Sequence, residues 1–277
     1  LSSLNWATYL GGTASDAGYS IRISGSGTVY VTGGTTSTDI GADPGSLNPS
    51  FGGVWDGYIA SFNGTTGAHV NKTYIGTSEY DQGFILETDG LGFVYVTGQT
   101  LGSYPVVNAT YSDASSAQFI HKLSADLTTT IYSTVFGSGS LSGPPPTRTV
   151  NISPTAFLVD NCENVYVSGW GGGFNGASSS GAYNPFAGGN TNGMPLTLDA
   201  EQATTDGSDF YFFVMESDAT GLLYGTYLGD NGTSEHTDGG TSRFDPNGVV
   251  YQSVCAACNT GNFPTTPGAY STTSGTA

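Results

Sequence analysis

The sequence predicts an all-β fold built from a four-stranded antiparallel unit repeated about four times. Three observations carry that prediction: a strand phrase that recurs, tight-turn signals ahead of each copy, and a composition poor in helix formers. The recurring phrase reads TVYVTGG from Thr28, FVYVTGQ from Phe93, NVYVSGW from Asn164 and, in worn form, VVYQSVC from Val249. Gly supplies 43 of 277 residues, aromatics 12% and charged residues 10%. That balance suits short strands and tight turns, whereas surface helices need Lys, Glu and Arg. The length is ordinary for one all-β domain, so residues 1–277 are expected to form a single repeat domain.

Each element of the unit has its own signature. Ahead of every VY strand stands an alternating run that ends in turn residues: YSIRISGSG from Tyr19, FILETDGLG from Phe84, AFLVDNCEN from Ala156 and TSRFDPNG from Thr241. Alternation of period two followed by Gly-Ser-Gly, Asp-Gly, Asp-Asn or Pro-Asn-Gly reads as a strand entering a hairpin. A third phrase is ATYLGG from Ala7, KTYIGT from Lys72, STVFGS from Ser133 and GTYLGD from Gly225. The fourth, present in three copies, is DGYIASFNGTTG from Asp56, AQFIHKLSADL from Ala117 and DFYFFVMESDATG from Asp209. Read as Asp-aromatic strand, TYLG strand, alternating strand and VY strand, these make a repeat in which Tyr30, Tyr95, Tyr166 and Tyr251 are equivalent. Strand alternation puts Val29, Val94, Val165 and Val250 on the opposite face.

One meander cannot cover both of its faces, so units must stack, and radial stacking into a β-propeller hides the faces while leaving short edges. The run opens on a TYLG phrase and closes after FPTTPGAYSTTSGTA, where another Asp-aromatic strand is due. The expectation is therefore part of a larger propeller. A closed four-bladed ring, an open arc, or a blade completed by another chain are the alternatives. The longest insertion, residues 171–208, is expected to be a surface loop, the kind of segment that carries function.

With 5 Lys plus Arg against 22 Asp plus Glu, the net charge is −17, which repels a phosphate backbone and excludes nucleic acid as a partner. The acid surplus reads first as a solubilising surface and second as calcium sites. No run of 18 apolar residues exists for membrane insertion, and LSSLNWATYL lacks the basic start and small-residue cleavage pattern of a signal peptide. Cys255-Ala-Ala-Cys258 lacks the second cysteine pair that a zinc site needs, so a structural disulfide is favoured over free thiols or metal. Cys162 precedes the third VY strand, at the other end of its sheet from where that pair is expected, and is not their partner.

The densest set of titratable residues is EHTDGGTSRFD, from Glu235 to Asp245. Within the repeat, Asp238 aligns with Asp16 and Asp81, and an Asp that recurs in successive units reads as a turn or strand cap accepting backbone N–H bonds. Calcium binding at Asp16, Asp81 and Asp238 is the second reading. His69 and His121 have no second imidazole at metal spacing, and GSGSLSG is no nucleophile elbow because no helix pattern follows it. No catalytic set emerges. Trp6, Tyr30, Tyr95 and Tyr166 recur with the repeat and read as core between units. Trp55, Trp170, Tyr183 and Phe186 fall in or beside loops and are the candidates for ligand contact.

The run TYLGG, D-x-G, an alternating strand, VYVTG-x-T and FPTTPGAY resembles the SBBP β-propeller repeat of large exported surface proteins of Bacteroidota. The stretches DNCENVYVSGWGGG and EHTDGGTSRFDPNGVVYQSVCAACNTGNFPTTPGAY resemble the variant in multi-domain proteins with PKD-like modules and a C-terminal secretion signal. The likeness covers essentially the whole chain and is specific for the repeat but not for an activity. It departs from the pattern in the long insert after Trp170 and in YIGTSEYDQG. It implies export by type IX secretion, a cell-surface or extracellular location, and roles in adhesion, gliding or polymer handling. The expected function is a non-catalytic scaffold or adhesion module whose partners are other domains or subunits of a surface assembly, and glycans. The alternative is a carbohydrate-binding or carbohydrate-processing propeller.

Overall fold

The computed structural model describes residues 4–139, 141, 150–171, 189–230, 232–237, 242–256 and 263–272. Three antiparallel four-stranded meanders follow one another. They are β1 (Asp16–Ile23), β2 (Thr28–Thr35), β3 (Asp56–Asn63) and β4 (His69–Ile75); β5 (Asp81–Thr88), β6 (Val94–Thr100), β7 (Gln118–Leu123) and β8 (Thr130–Phe136); and β9 (Ser153–Val159), β10 (Val165–Trp170), β11 (Phe210–Met215) and β12 (Leu222–Leu228). A fourth, partial unit holds β13 (Glu235–His236) paired with β16 (Cys255–Ala256), and β14 (Arg243–Phe244) paired with β15 (Val250–Tyr251). The described residues contain a 3-10 turn at Ser217–Ala219 and no helix long and apolar enough to cross a membrane.

The repeat is present, but its phase differs from the order read above. The alternating strand opens each sheet and the TYLG strand closes it. Ala7–Gly12 consequently forms no strand. Instead Trp6 and Leu10 pack on the first sheet, and the Trp6 indole N–H donates to the Gly64 carbonyl at 2.9 Å. Hydrogen-bond partners, not periodicity, decide which four strands share a sheet.

Register makes the tyrosines equivalent: Tyr30, Tyr95, Tyr166 and Tyr251 lie opposite Arg22, Glu87, Leu158 and Arg243. Their face of each sheet meets the valine face of the next. Tyr30, Ile59 and Ile75 pack against Leu86, Val94, Val96 and Phe119, and Tyr95, Ile120 and Phe136 against Phe157, Val165, Val167 and Phe213. Such alternating burial of apolar rows is the main stabilising term in stacked sheets. Lys122 is buried in the second seam. Its ammonium lies 4.9 Å from the ring centres of Phe93 and Tyr95 and bonds Glu163 at 2.6 Å, which holds the Glu163 carboxyl below its usual range.

The long connections are not free loops. Each folds back along the outermost strand of its own sheet: the Tyr74 amide donates to Asn48, the Val107 and Ser133 amides exchange bonds, and the Thr197 and Tyr227 amides donate to Gly225 and Gln202. Of the insertion read as a surface loop, Gly171 and residues 189–208 are described. Met194 there is buried in the seam core, and the Tyr211 hydroxyl donates to the Pro195 carbonyl at 2.5 Å. Asn48-Pro49, Tyr104-Pro105 and Met194-Pro195 mark these returns in the sequence, because a residue before proline is driven into extended backbone.

Candidate functional site: the groove along the inner strands

The first strands of the units lie side by side: β5 contacts β1, β9 contacts β5, and β14 contacts β9. They line one groove of about 650 Å³. In each complete unit a bulge interrupts the pairing of the inner strand and leaves one residue unpaired: Tyr19 in β1, Phe84 in β5 and Thr155 in β9. A bulge bends its strand and re-aims the extra side chain. Here the re-aimed residues line the groove, with the Tyr19 and Phe84 rings stacked at 5.1 Å and 20°.

The bulge also explains the glycine of the VY phrase. A Cβ at Gly33 or Gly98 would overlap the carbonyl oxygen of Ala17 or Gln82, and one at Gly169 would lie 2.7 Å from that of Ser153. The same backbone step therefore needs glycine on one strand and delivers a side chain to the groove from the next.

Beyond the bulge row lie Arg22, Glu87 and Arg243, at equivalent register positions. Arg22 and Glu87 bond at 2.5 Å across the two sheets, and this hydrogen bond raises the Arg22 pKa further. Trp170, Phe244 and the buried Phe157 add to the aromatic lining. Trp170 sits 5.7 Å from the His236 ring, and Phe244 packs on Tyr166 at 5.8 Å.

No protein-family model matches this chain, and no curated protein matches it in sequence. The site must be read from its own chemistry.

Of the four aromatics expected to contact ligand, Trp170 lines the groove. Trp55 does not: it is 3% exposed, bridged through its backbone to Tyr80 and packed with Tyr80, Leu101 and Leu141 between the first two sheets. Position beside a loop suggested exposure, but a short parallel bridge pulls this residue into the seam. Tyr183 and Phe186 lie outside the described residues, as do Asp238 and Cys258. Tyr19, Phe84 and Phe244 were missed as site residues, although Asp-x-Gly-aromatic at Asp16–Tyr19 and Asp81–Phe84 is the visible trace of the bulge. Arg22 and Glu87 carried no local signal beyond their charge, and Arg243 stood out as a member of the titratable run Glu235–Asp245.

The recurring acids lie away from the groove lining and act as loop caps. Asp16 accepts the Gly12 amide at 2.8 Å, Asp81 the Thr77 amide at 2.6 Å, Asn151 the Ser138 amide at 3.0 Å and Glu235 the Asp230 amide at 3.3 Å. Each amide belongs to the residue that directly follows the glycine of a TYLG phrase. The fourth cap is thus Glu235, while the sequence alignment had put Asp238 there. Among the described residues no group of three His, Cys, Asp or Glu side chains is arranged to hold a metal ion.

Burial pushes Asp81 and its neighbour Asp56 up to about 6, and Glu235 up to about 7, against the opposing effect of their hydrogen bonds. The folded state therefore holds protons that the unfolded chain releases near pH 4. Below pH 4 these groups do not discriminate between the two states. As pH rises from 4 through 7 the unfolded state is favoured, and the loss is complete above both values. Thermal unfolding should occur at higher temperature at pH 5 than at pH 8. Asp81→Asn, which copies the natural Asn151 junction, should flatten the profile and raise stability at pH 8 by about 1 kcal/mol or more.

Proposed function

We propose that the chain is an arc of a β-propeller that serves as a non-catalytic extracellular scaffold or adhesion module in a larger surface protein or assembly. The observation that carries this reading is the reuse of one seam. Tyrosine-bearing and valine-bearing faces meet twice, whereas among the described residues the valine-bearing face of the first sheet is covered by Trp6, Leu10 and part of the β2–β3 connection. Ile21 is 59% exposed there, although Leu86 and Phe157, its equivalents, are buried. A further sheet of the same repeat fits that face. The extracellular address rests on the resemblance to exported repeats and on the acidic, Gly-rich composition.

Carbohydrate processing is the second reading, favoured by the aromatic lining of the groove. Glycoside hydrolysis uses two carboxyl groups about the scissile bond. Among the described lining residues the groove offers one, Glu87, and Arg22 holds it.

Incubation with neutral and acidic polysaccharides, peptides and esters tests the scaffold reading. The expected result is no turnover, and hydrolase or lyase products would overturn it. The address has its own test: thiol alkylation without reductant should modify Cys162, which is exposed in the β9–β10 turn, and spare Cys255 and Cys258. Modification of all three removes both the disulfide and this support for an oxidising compartment.

A further inference from the structure

We propose that the valine-bearing face of the first sheet docks a second copy of this chain, which seats the tyrosine-bearing face of its fourth unit there. The inference rests on the propeller-arc reading above and names the partner. The first ground is that both halves of the internal seam stand open on one chain. On the valine-bearing side Ile21 is exposed, whereas its equivalents Leu86 and Phe157 are buried. On the tyrosine-bearing side Tyr251 is 60% exposed, whereas its equivalents Tyr30 and Tyr95 are at 2% and 0% where two sheets meet. Apolar side chains left open where their equivalents are buried mark a contact surface, and the internal seams show that each of these faces is the other's partner.

The second ground is a seat held by a stand-in. In the first seam the Tyr30 hydroxyl donates to the Ala125 carbonyl at 2.8 Å. Leu123 lies opposite Val94 and Phe62 opposite Val29, so Ala125 and Gly64, each two residues further on, are equivalent. The Gly64 carbonyl accepts the Trp6 indole N–H, and the indole packs on Gly67. Trp6 thus occupies, from within the chain, the place that a neighbouring unit's tyrosine takes in the first seam. It fills that place incompletely. A hollow of about 220 Å³ remains between Trp6, Leu10 and the sheet residues Ile21, Val31 and Tyr58. A tyrosine-bearing face brings side chains from three strands, as Tyr30, Ile59 and Ile75 do in the first seam.

A charged partner is the competing occupant, and the face disfavours it, because the described residues lining the hollow include no ionised side chain. Association must then come from apolar burial against the mutual repulsion of two chains carrying −17 each. Salt, which screens that repulsion, should strengthen it. Since the two faces differ, the contact is heterologous and joins copies head to tail, closing into a ring or extending further.

Analytical ultracentrifugation of the intact chain from about 1 μM to about 500 μM decides the matter, and the expected result is a mass that rises above one chain with concentration. Ile21→Glu and Tyr251→Asp should each weaken self-association at least about tenfold. An equimolar mixture of the two variants should restore a pair and nothing larger, because one intact face of each kind remains. Trp6→Ala, which vacates the seat, should tighten association about threefold or more. Ile21 and Tyr251 are exposed, so circular dichroism should show both of their variants folded. A chain that stays single throughout would overturn the proposal and leave the face to a sheet of another polypeptide. Association indifferent to both face substitutions, or a mixture that fails to pair, would overturn it equally, as would weaker association of a folded Trp6→Ala variant. Turnover of a substrate would instead overturn the non-catalytic reading and leave this contact standing.

Discussion

Gly98→Val should destabilise the protein by at least about 3 kcal/mol, lowering its melting temperature by roughly 10 °C. A Cβ at this position would overlap the Gln82 carbonyl oxygen and lie 2.5 Å from Phe119 Cζ. The first is backbone held by the β5 bulge, and the second is a fully buried ring, so neither can withdraw cheaply. Relief requires the bulge to shift, which also displaces Phe84 from the groove. Gly90→Ala is the control. A Cβ there meets nothing within 4 Å, and its effect should stay within about 0.5 kcal/mol. Urea unfolding of the two variants, followed by circular dichroism, measures both. A Gly98 variant as stable as the parent would mean that the bulge is not what demands glycine in the VY phrase.

Phe213→Ala should cost roughly 4 kcal/mol and split the unfolding transition. Phe213 is fully buried, stacks on Phe136 at 4.4 Å and 19°, and touches Tyr111 and Tyr211, so it joins the second and third sheets. In a repeat array each unit is stabilised by its own contacts and those of its neighbours, so cutting one seam lets the array open there. Hydrogen exchange should show β9–β12 losing protection while β1–β4 keeps it. Phe212, one residue earlier, points to the opposite face and is only partly buried; Phe212→Ala should cost less than half as much. A single cooperative loss across all sheets would mean that the seams are tighter than nearest-neighbour coupling allows.

Much of this molecule is legible without coordinates, for a local reason. Strand identity depends on residue type and alternation, so the VY strands, their hairpins and the opposition of Tyr30 to Val29 follow from short stretches of chain. Repetition then multiplies a weak signal, because four similar phrases support one another where one would not. The capping role of Asp16 and Asp81 was also readable: an acid that recurs just after a small-residue turn has a partner in that turn.

Other features depend on residues far apart in sequence. Which strand closes a sheet is decided by hydrogen bonds between segments tens of residues distant, and TYLG looks alike whether it precedes or follows its partners. Trp55 sits beside a loop yet is buried, because its backbone bridges to Tyr80. A small change in loop length moved the fourth cap to Glu235, a slip that alignment by residue type does not register. The groove is the clearest case. Tyr19, Phe84, Trp170 and Arg243 come from three sheets and a partial fourth, and none is marked in its own segment as belonging with the others. The sequence by itself determined the strands, their faces and the repeat, since those are set by neighbours along the chain. Only the tertiary structure decided the sheet phase, the bulge-directed aromatics and the groove, because each requires the packing of one unit on the next.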